Sequence, residues 1–472
     1  MARTLLVFIA ASLWLFSQAT KAHAWRLEAG QVTTLNTAST PLFTSVTFQE
    51  TFDVIPIVVA LPSDQGGDPA ALRIRSVTTS GFEISAVEPT GNDGPHISMT
   101  IHYIAIEPGT HILPDGTELA AGLHPTNSIQ SKFLPSNWDL VPFGTTLDAT
   151  ASVVAAIQSL NSENIIAPTA PDAPSSPFLT VTTRNANTSS VELALERSED
   201  TSGTVVSEDI GWIAFPSNND GTFIDTLDNA IGWDARITDD AVVGWDNGCT
   251  THAFSATNWP NARIAATKHT RDGVDGGWVR RCDLTGTAIG LVIDEDIADD
   301  PERGHTDERV ALLSFSESFH ANFEGLIEAS KTVSTPAGGY TLPGNPVIYT
   351  IAVESSGVLP IDEDAVVFVD SLPPEVAFRV ADIDGPGSGP IRFLDGSPTS
   401  GLSYNFLGLS DTTDDVGFSN DGGLTFAYSP LDNGSGVDPN VTHIRINPKG
   451  TFLPETGSGN PNFELIFQSV IK

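Results

Sequence analysis

Leu72-Arg73-Ile74-Arg75-Ser76-Val77, a Thr-Thr-Ser-Gly turn, and Phe82-Glu83-Ile84-Ser85-Ala86-Val87 alternate apolar and polar residues on both sides of the turn. Alternation puts every second side chain on one face, so the stretch reads as two half-buried strands joined by a turn. Upstream, FTSVTFQETFDVIPIVVA (Phe43 to Ala60) reads as two apolar-rich strands around an acidic turn, and downstream Ile101-His102-Tyr103-Ile104-Ala105-Ile106 is another alternating strand. No amphipathic helical stretch longer than two turns stands out beyond the first residues. The chain of 472 residues carries 41 Gly and 32 Pro, which suit turn-rich β structure better than long helices. The fold class expected is all-β, built of tandem antiparallel β-sandwiches.

The same order returns. Phe143-Gly144-Thr145 leads into Ser152-Val153-Val154-Ala155-Ala156-Ile157; after a Pro/Ala/Ser linker come FLTVTTRNANTSSVELALE and Ile210-Gly211-Trp212-Ile213-Ala214-Phe215. A looser copy has ARIAATK from Ala262, WVRRCDLTGTAIGLVID from Trp278 and VALLSF from Val310 to Phe315. Three echoes spaced about 100 residues apart point to copies of one small sandwich, the alternative being the general likeness of half-buried strands. After Ala329 the texture shifts to PGNPVIYTIAVESSG, VVFVDSLPPEVAF and FELIFQSVIK, a further all-β segment. The division expected is a leader over 1–24, sandwiches over 25–123 and 124–225, a candidate third over 226–327, and a last β domain over 328–472.

Arg3, the apolar run Leu5 to Phe16 and the small residues of Ala22-His23-Ala24 have the order of a secretory leader, with cleavage between Ala24 and Trp25. The run falls short of the ~20 apolar residues that span a bilayer, so no transmembrane anchor is expected in the mature chain; an uncleaved anchor is the alternative. The two cysteines, Cys249 and Cys282, are expected to form one disulfide in an oxidising compartment. A metal site would want further ligands at short spacing, and no CxxC or HxxxH accompanies them. With 22 Lys+Arg against 59 Asp+Glu, the formal charge of −37 disfavours nucleic acid and anionic membrane as partners. The product is read as exported: secreted or at the cell surface, with the periplasm also open.

The first block resembles the H-type lectin domain, through VTFQETFDVIPIVVA (from Val46), RIRSVTTSGFEI (from Arg73) and IHYIA ending at Ala105. The resemblance implies a six-stranded antiparallel β-sandwich that binds sugars and assembles as trimers, hence a homo-oligomer. Family members usually carry a Trp two residues before the Ala of the last strand. That position is Tyr103 in the first copy, Trp212 in the second and Leu312 in the third. An aromatic there either stacks on a sugar face or fills the core, which makes Tyr103 and Trp212 the carbohydrate-binding candidates. The C-terminal PGNPVIYTIAVESSG (from Pro343) and VVFVDSLPPEVAF (from Val366) resemble the immunoglobulin-like repeat called DUF11, found in bacterial surface and exported proteins. Asn345 replaces the family's Asp, and Ser355-Ser356-Gly357 its Asn-containing turn. This likeness implies an immunoglobulin-like sandwich used as a spacer or adhesive element.

Chemistry is signalled faintly. Asp294, Asp296, Asp299 and Asp300 lie in the most acidic run and are the candidate Ca²⁺ ligands, although the spacing is not that of an EF-hand. Paired carboxylates there would also suit a glycosidase, and a solvated acidic loop with local Arg pairs is the plain alternative. Leu453-Pro454-Glu455-Thr456-Gly457 matches a sortase signal by chance, lacking the apolar span that should follow. Gly232-Trp233-Asp234 and Gly244-Trp245-Asp246 read as turn-anchoring core tryptophans or as an aromatic platform. No GxSxG elbow is present. The function expected is non-catalytic: carbohydrate binding or adhesion, with glycans or a cell-surface component as partner. The alternatives are a structural spacer and a calcium-dependent polysaccharide hydrolase.

Overall fold

The computed structural model describes residues 24–35, 43–89, 92, 96–132, 137–163, 177–197, 199, 203–255, 258–299, 301–336, 342–455 and 459–472, together with the backbone of Leu13–Trp14. Among them the regular elements are strands, apart from a 3-10 turn at Trp245–Asn247 and a 3-10 residue at Pro336. The all-β expectation holds. The chain divides into two compact units, Trp25–Asn322 and Phe323–Lys472 with Met1–Ala24. The expected leader lies outside the described residues save for Ala24 and for β1 (Leu13–Trp14), whose backbone pairs with Phe368–Ser371.

The larger unit is one sandwich written three times. In repeat 1, β2 (Trp25–Thr33), β7 (Thr100–Ile106) and β4 (Ile57–Pro62) make one antiparallel sheet in the order β2-β7-β4. Facing it are β3 (Thr44–Thr47), β6 (Gly81–Val87) and β5 (Ala71–Thr78), in the order β3-β6-β5. Repeat 2 sets β9 (Glu118–Thr126), β15 (Glu208–Pro216) and β12 (Ala151–Ile157) against β11 (Asp139–Pro142), β14 (Ser190–Arg197) and β13 (Leu179–Arg184), with the same orders. Repeat 3 does so with β17 (Ala230–Ile237), β22 (Val310–Phe315) and β19 (Arg263–Lys268) against β18 (Thr250–Ala253), β21 (Ala288–Asp294) and β20 (Trp278–Leu284). Register fixes the correspondence residue by residue: Ala60 faces Tyr103, Ala155 faces Trp212 and Ala266 faces Leu312. The looser third echo is therefore a full copy. Alternating residues such as Val58, Ile84, Ile101 and Ala105 fill the first core, while their neighbours face out of it.

Short strands join the repeats. Each pairs with the first strand of the repeat that follows: β8 (Gly109–Ile112) with β9, and β16 (Asn219–Ile224) with β17. After repeat 3, β23 (Phe319–Phe323) does the same to β2 of repeat 1, so the three sandwiches close into a ring within one chain. The boundary expected at 123/124 accordingly falls inside β9, because the link is already part of the next sheet. The boundary at 327/328 likewise falls inside the strand Ile327–Ser334.

Neighbouring repeats touch through equivalent positions. Leu61 is buried in the core of repeat 3, Ala156 packs against that of repeat 1, and the Thr267 hydroxyl bridges to the Ala155 amide (2.8 Å) and carbonyl (3.1 Å) of repeat 2. These three residues share one register position. Gly211 leaves room for the neighbouring repeat: a Cβ there would meet Gln158 Oε1 at 1.8 Å and Ile57 Cγ2 at 3.0 Å, so the Gln158 side chain would have to shift.

In the smaller unit, Ile327–Ser334, Pro346–Ser355, Asn462–Ile471, Val376–Arg379 and Val437–Asp438 form a sheet in that order, with Ile391–Asp395 also on Asn462–Ile471. A second sheet holds Phe368–Ser371, His443–Ile446 and Val416–Ser419. Tyr349, Phe463 and Phe467 of the first pack with Phe368 and Phe418 of the second in one core. Leu453–Glu455 lies in a loop before the last strand, where its sequence places it; Thr456 and Gly457 fall outside the described residues.

Candidate functional site

The two aromatics expected to meet sugar are core residues. Tyr103 is 5% exposed; its ring stands edge-on to Phe82, and its hydroxyl donates to Glu28 Oε1 at 2.8 Å. Burial and the adjoining Glu28 carboxylate push the phenol above its ordinary range. Trp212 is equally buried and packs 5.5 Å from Phe143. Each ring lies over a glycine on the paired strand: a Cβ on Gly30 would meet Tyr103 at 2.4 Å, and one on Gly122 would meet Trp212 at 2.6 Å. Both positions are thus corrected from ligand platform to sandwich packing, because no sugar face reaches these rings while the sandwich is closed.

The acidic run is corrected in the same way. Asp294 is fully buried and accepts from Arg280 Nη1 (2.7 Å), Arg303 Nε (2.8 Å) and Arg303 Nη2. Asp296 is buried, with Oδ1 accepting from the Ala298 amide at 3.4 Å. Asp299 is exposed and pairs with Lys132 at 3.2 Å, while Asp300 lies outside the described residues. Among the described residues no group of three or more His, Cys, Asp or Glu is placed to hold a metal ion. What the sequence signals as a calcium loop is an ion-pair centre, and the same arginines cover the Trp245 ring, at 4.9 Å for Arg280 and 4.1 Å for Arg303. Trp233 is fully buried, and Trp245 sits under those guanidinium groups, so both Gly-Trp-Asp motifs anchor structure.

Beside this centre, His305 lies between two buried carboxylates, bonding Glu295 through Nδ1 and Glu308 through Nε2 (3.0 Å). The two bonds raise the imidazole pKa against the opposing effect of burial. Burial pushes Glu295 up, whereas His305, Lys268 and Thr270 hold Glu308 down at about 2. Glu196 of repeat 2 meets Lys268 (2.8 Å) and Arg271 (2.9 Å) of repeat 3, and Arg73 of repeat 1 meets Glu163 of repeat 2 at 2.6 Å. The sequence carries no local signal for these contacts, since their partners are 72–90 residues apart. They tie repeats together; burial of this depth leaves them no access to a substrate.

Cys249 and Cys282 form the expected disulfide, with Cα atoms 6.0 Å apart. The remaining candidate region is the meeting place of the repeats. A cavity of about 80 Å³ is lined by two sets of equivalent residues, Ala60, Ala155 and Ala266, and Pro62, Ile157 and Lys268, one from each repeat. It therefore sits on the pseudo-threefold axis. The junctions around it are where side chains of two repeats meet.

No protein-family model and no solved structure matches the chain. Halomucin of Haloquadratum walsbyi is 27% identical to it over 320 residues, covering 64% of this chain and 3% of halomucin. The chain thus corresponds to a small fraction of that relative's length. No helix among the described residues is long and apolar enough to cross a membrane.

Proposed function

We propose that the chain is an exported, non-catalytic carbohydrate-binding or adhesion protein, whose ring of three lectin-like sandwiches offers its ligand sites at the repeat junctions. The observation that carries this reading is the closure of three six-stranded sandwiches in one unit. It is the arrangement that a sugar-binding trimer of such sandwiches would have, with three weak sites available for multivalent contact. The disulfide supports an oxidising compartment, and the likeness to halomucin supports kinship with an exported type of chain. Burial of Tyr103 and Trp212 favours a second reading, a structural spacer in which the sandwiches keep their shape without a ligand.

A glycan array probed with the chain from Trp25, in calcium and again in EDTA, separates the two. Selective binding that EDTA leaves intact is the expected outcome, since Asp294 and Asp296 are engaged within the fold. A blank at high, multivalent loading leaves the spacer.

A further inference from the structure

The three junctions use equivalent positions, so each is a control for the others. Between repeats 1 and 2, the positions in question hold Gly211, Ile57 and Ile74. Between repeats 2 and 3, they hold Ala311, Ser152 and Thr183. The contacts agree with the correspondence: Ile57 lies beside Gly211, and the Ser152 hydroxyl donates to the carbonyl of Leu312, the residue after Ala311, at 2.9 Å. Between repeats 3 and 1 the same positions hold His102, Arg263 and Arg281. The fold builds two junctions with no ionisable group at these places and the third with three nitrogen bases. Packing alone does not call for them.

Nor are they neutralised. His102 is 1% exposed, and its buried Nδ1 has no hydrogen-bond partner. Arg281 Nε is likewise buried without a partner; the backbone of Arg281 is fixed on repeat 1 by its bridge to Ser63 and by the Asp64 amide, which donates to its carbonyl at 2.9 Å. Arg263 donates to Ser318 Oγ (2.7 Å) and to the carbonyls of Asn261 and Ala262. Asp64, Asp283 and Glu317 exert a field on the arginines, yet no ion pair to Arg263 or Arg281 forms among the described residues. Desolvation depresses all three bases, and both arginines add to the depression of His102, to about 3. Arg263 and Arg281 are half-buried, and a partly desolvated guanidinium is best satisfied by a carboxylate or another oxyanion.

We propose that the junction of repeats 3 and 1 is a site for one oxyanion group, a carboxylate or sulfate, gripped by Arg281 and Arg263 with His102 behind them. An acidic saccharide as carrier of that group rests on the sugar-binding reading above; the anion site itself does not.

The test is calorimetric titration, at low ionic strength, of the chain from Trp25 with inorganic sulfate and with a sulfated oligosaccharide and its unsulfated counterpart. The variant His102→Ala/Arg263→Ser/Arg281→Thr installs residues that the 2–3 junction already uses. Wild type should bind sulfate-bearing ligands at least about tenfold more tightly than the variant does, a loss of ~1.4 kcal/mol or more. Near-UV circular dichroism should be the same for both. If that variant fails to fold, Arg281→Gln alone carries the comparison. Tighter binding of the sulfated sugar than of inorganic sulfate identifies a saccharide carrier, and equal binding identifies a free ion; either supports the site. Neutral glycans binding without any preference for sulfate would overturn the site and leave the sugar-binding reading standing. Equal affinity in the folded variant, or no sulfate binding by wild type, also overturns it.

Discussion

Arg75 lies over the Phe43 ring, 3.5 Å from its centroid, and pairs with Glu83 at 2.8 Å. Arg184 repeats the device in the next copy, 4.2 Å from the Trp138 centroid and 2.6 Å from Glu192. In both, a side chain on one edge strand of the second sheet reaches across the middle strand to the residue that opens the other edge. Repeat 3 has Cys249 where the others have Phe43 and Trp138, and Cys282 sits in the bulge beside the arginine's position. The covalent bridge thus stands in for a cation–π bridge. It also explains Gly290, which replaces the glutamate: a Cβ there would meet Cys249 Sγ at 2.4 Å. Removing the disulfide by Cys249→Ala/Cys282→Ala should cost about 2–4 kcal/mol, since it closes a loop across a separation of 33 residues. Arg75→Ala should cost about 1 kcal/mol, being a partly exposed pair with one ring contact. Urea denaturation of the two variants would check the ranking; equal costs would mean that the covalent bridge contributes no more than the cation–π bridge in whose place it stands. The disulfide itself was legible from a count of two cysteines. Its kinship with Arg75 was not, because different chemistries fill one place and only register aligns them.

Elements were more legible than their partners. Period-two alternation located most strands of the three sandwiches, since each needs one face in a core and one out of it, but it passed over β11, β18 and the first strand of every repeat, β2, β9 and β17. The links carry little signal, because β8 and β16 are only 4 and 6 residues long and have no core stripe of their own. Ring closure was out of reach altogether: β23 pairs with a strand almost the whole unit away, and nothing local in FHANF names that partner. Yet β23 is a structural element of consequence. Phe319 packs against Phe223 (5.1 Å) and Phe315 (4.9 Å), Asn322 accepts from Arg26 Nε at 3.1 Å, and His320 faces Glu28 at 3.4 Å. A fragment over 25–324 should unfold as one cooperative monomeric unit. Ending it at Glu317 should cost roughly 1.5–3 kcal/mol for the lost phenylalanine alone, and it should bare the edge of β2 for association. Urea midpoints and sedimentation of the two fragments decide this; identical behaviour would mean that closure contributes nothing to the ring.

Over the whole molecule, charge is distributed less evenly than the net value implies. Several of the 22 basic residues are spent inside: Arg73, Lys268, Arg280 and Arg303 are buried in ion pairs with Glu163, Glu196 and Asp294. Such pairs are little affected by salt, because solvent ions do not reach them. More carboxylates than bases are buried with them, yet carboxylates still outnumber bases outside, where they repel one another and favour expansion of the chain. Screening shortens that repulsion from about 30 Å at 0.01 M salt to about 3 Å at 1 M. The thermal midpoint should therefore rise with NaCl over this range, by about 4 °C or more if screening contributes some 2 kcal/mol. KCl should act equally, since the effect belongs to ionic strength, and sucrose should not reproduce its steep onset at low concentration. A midpoint that is flat or falls with salt would show that the surface carboxylates are locally compensated, and that the acidity of the chain serves its surroundings without straining its fold.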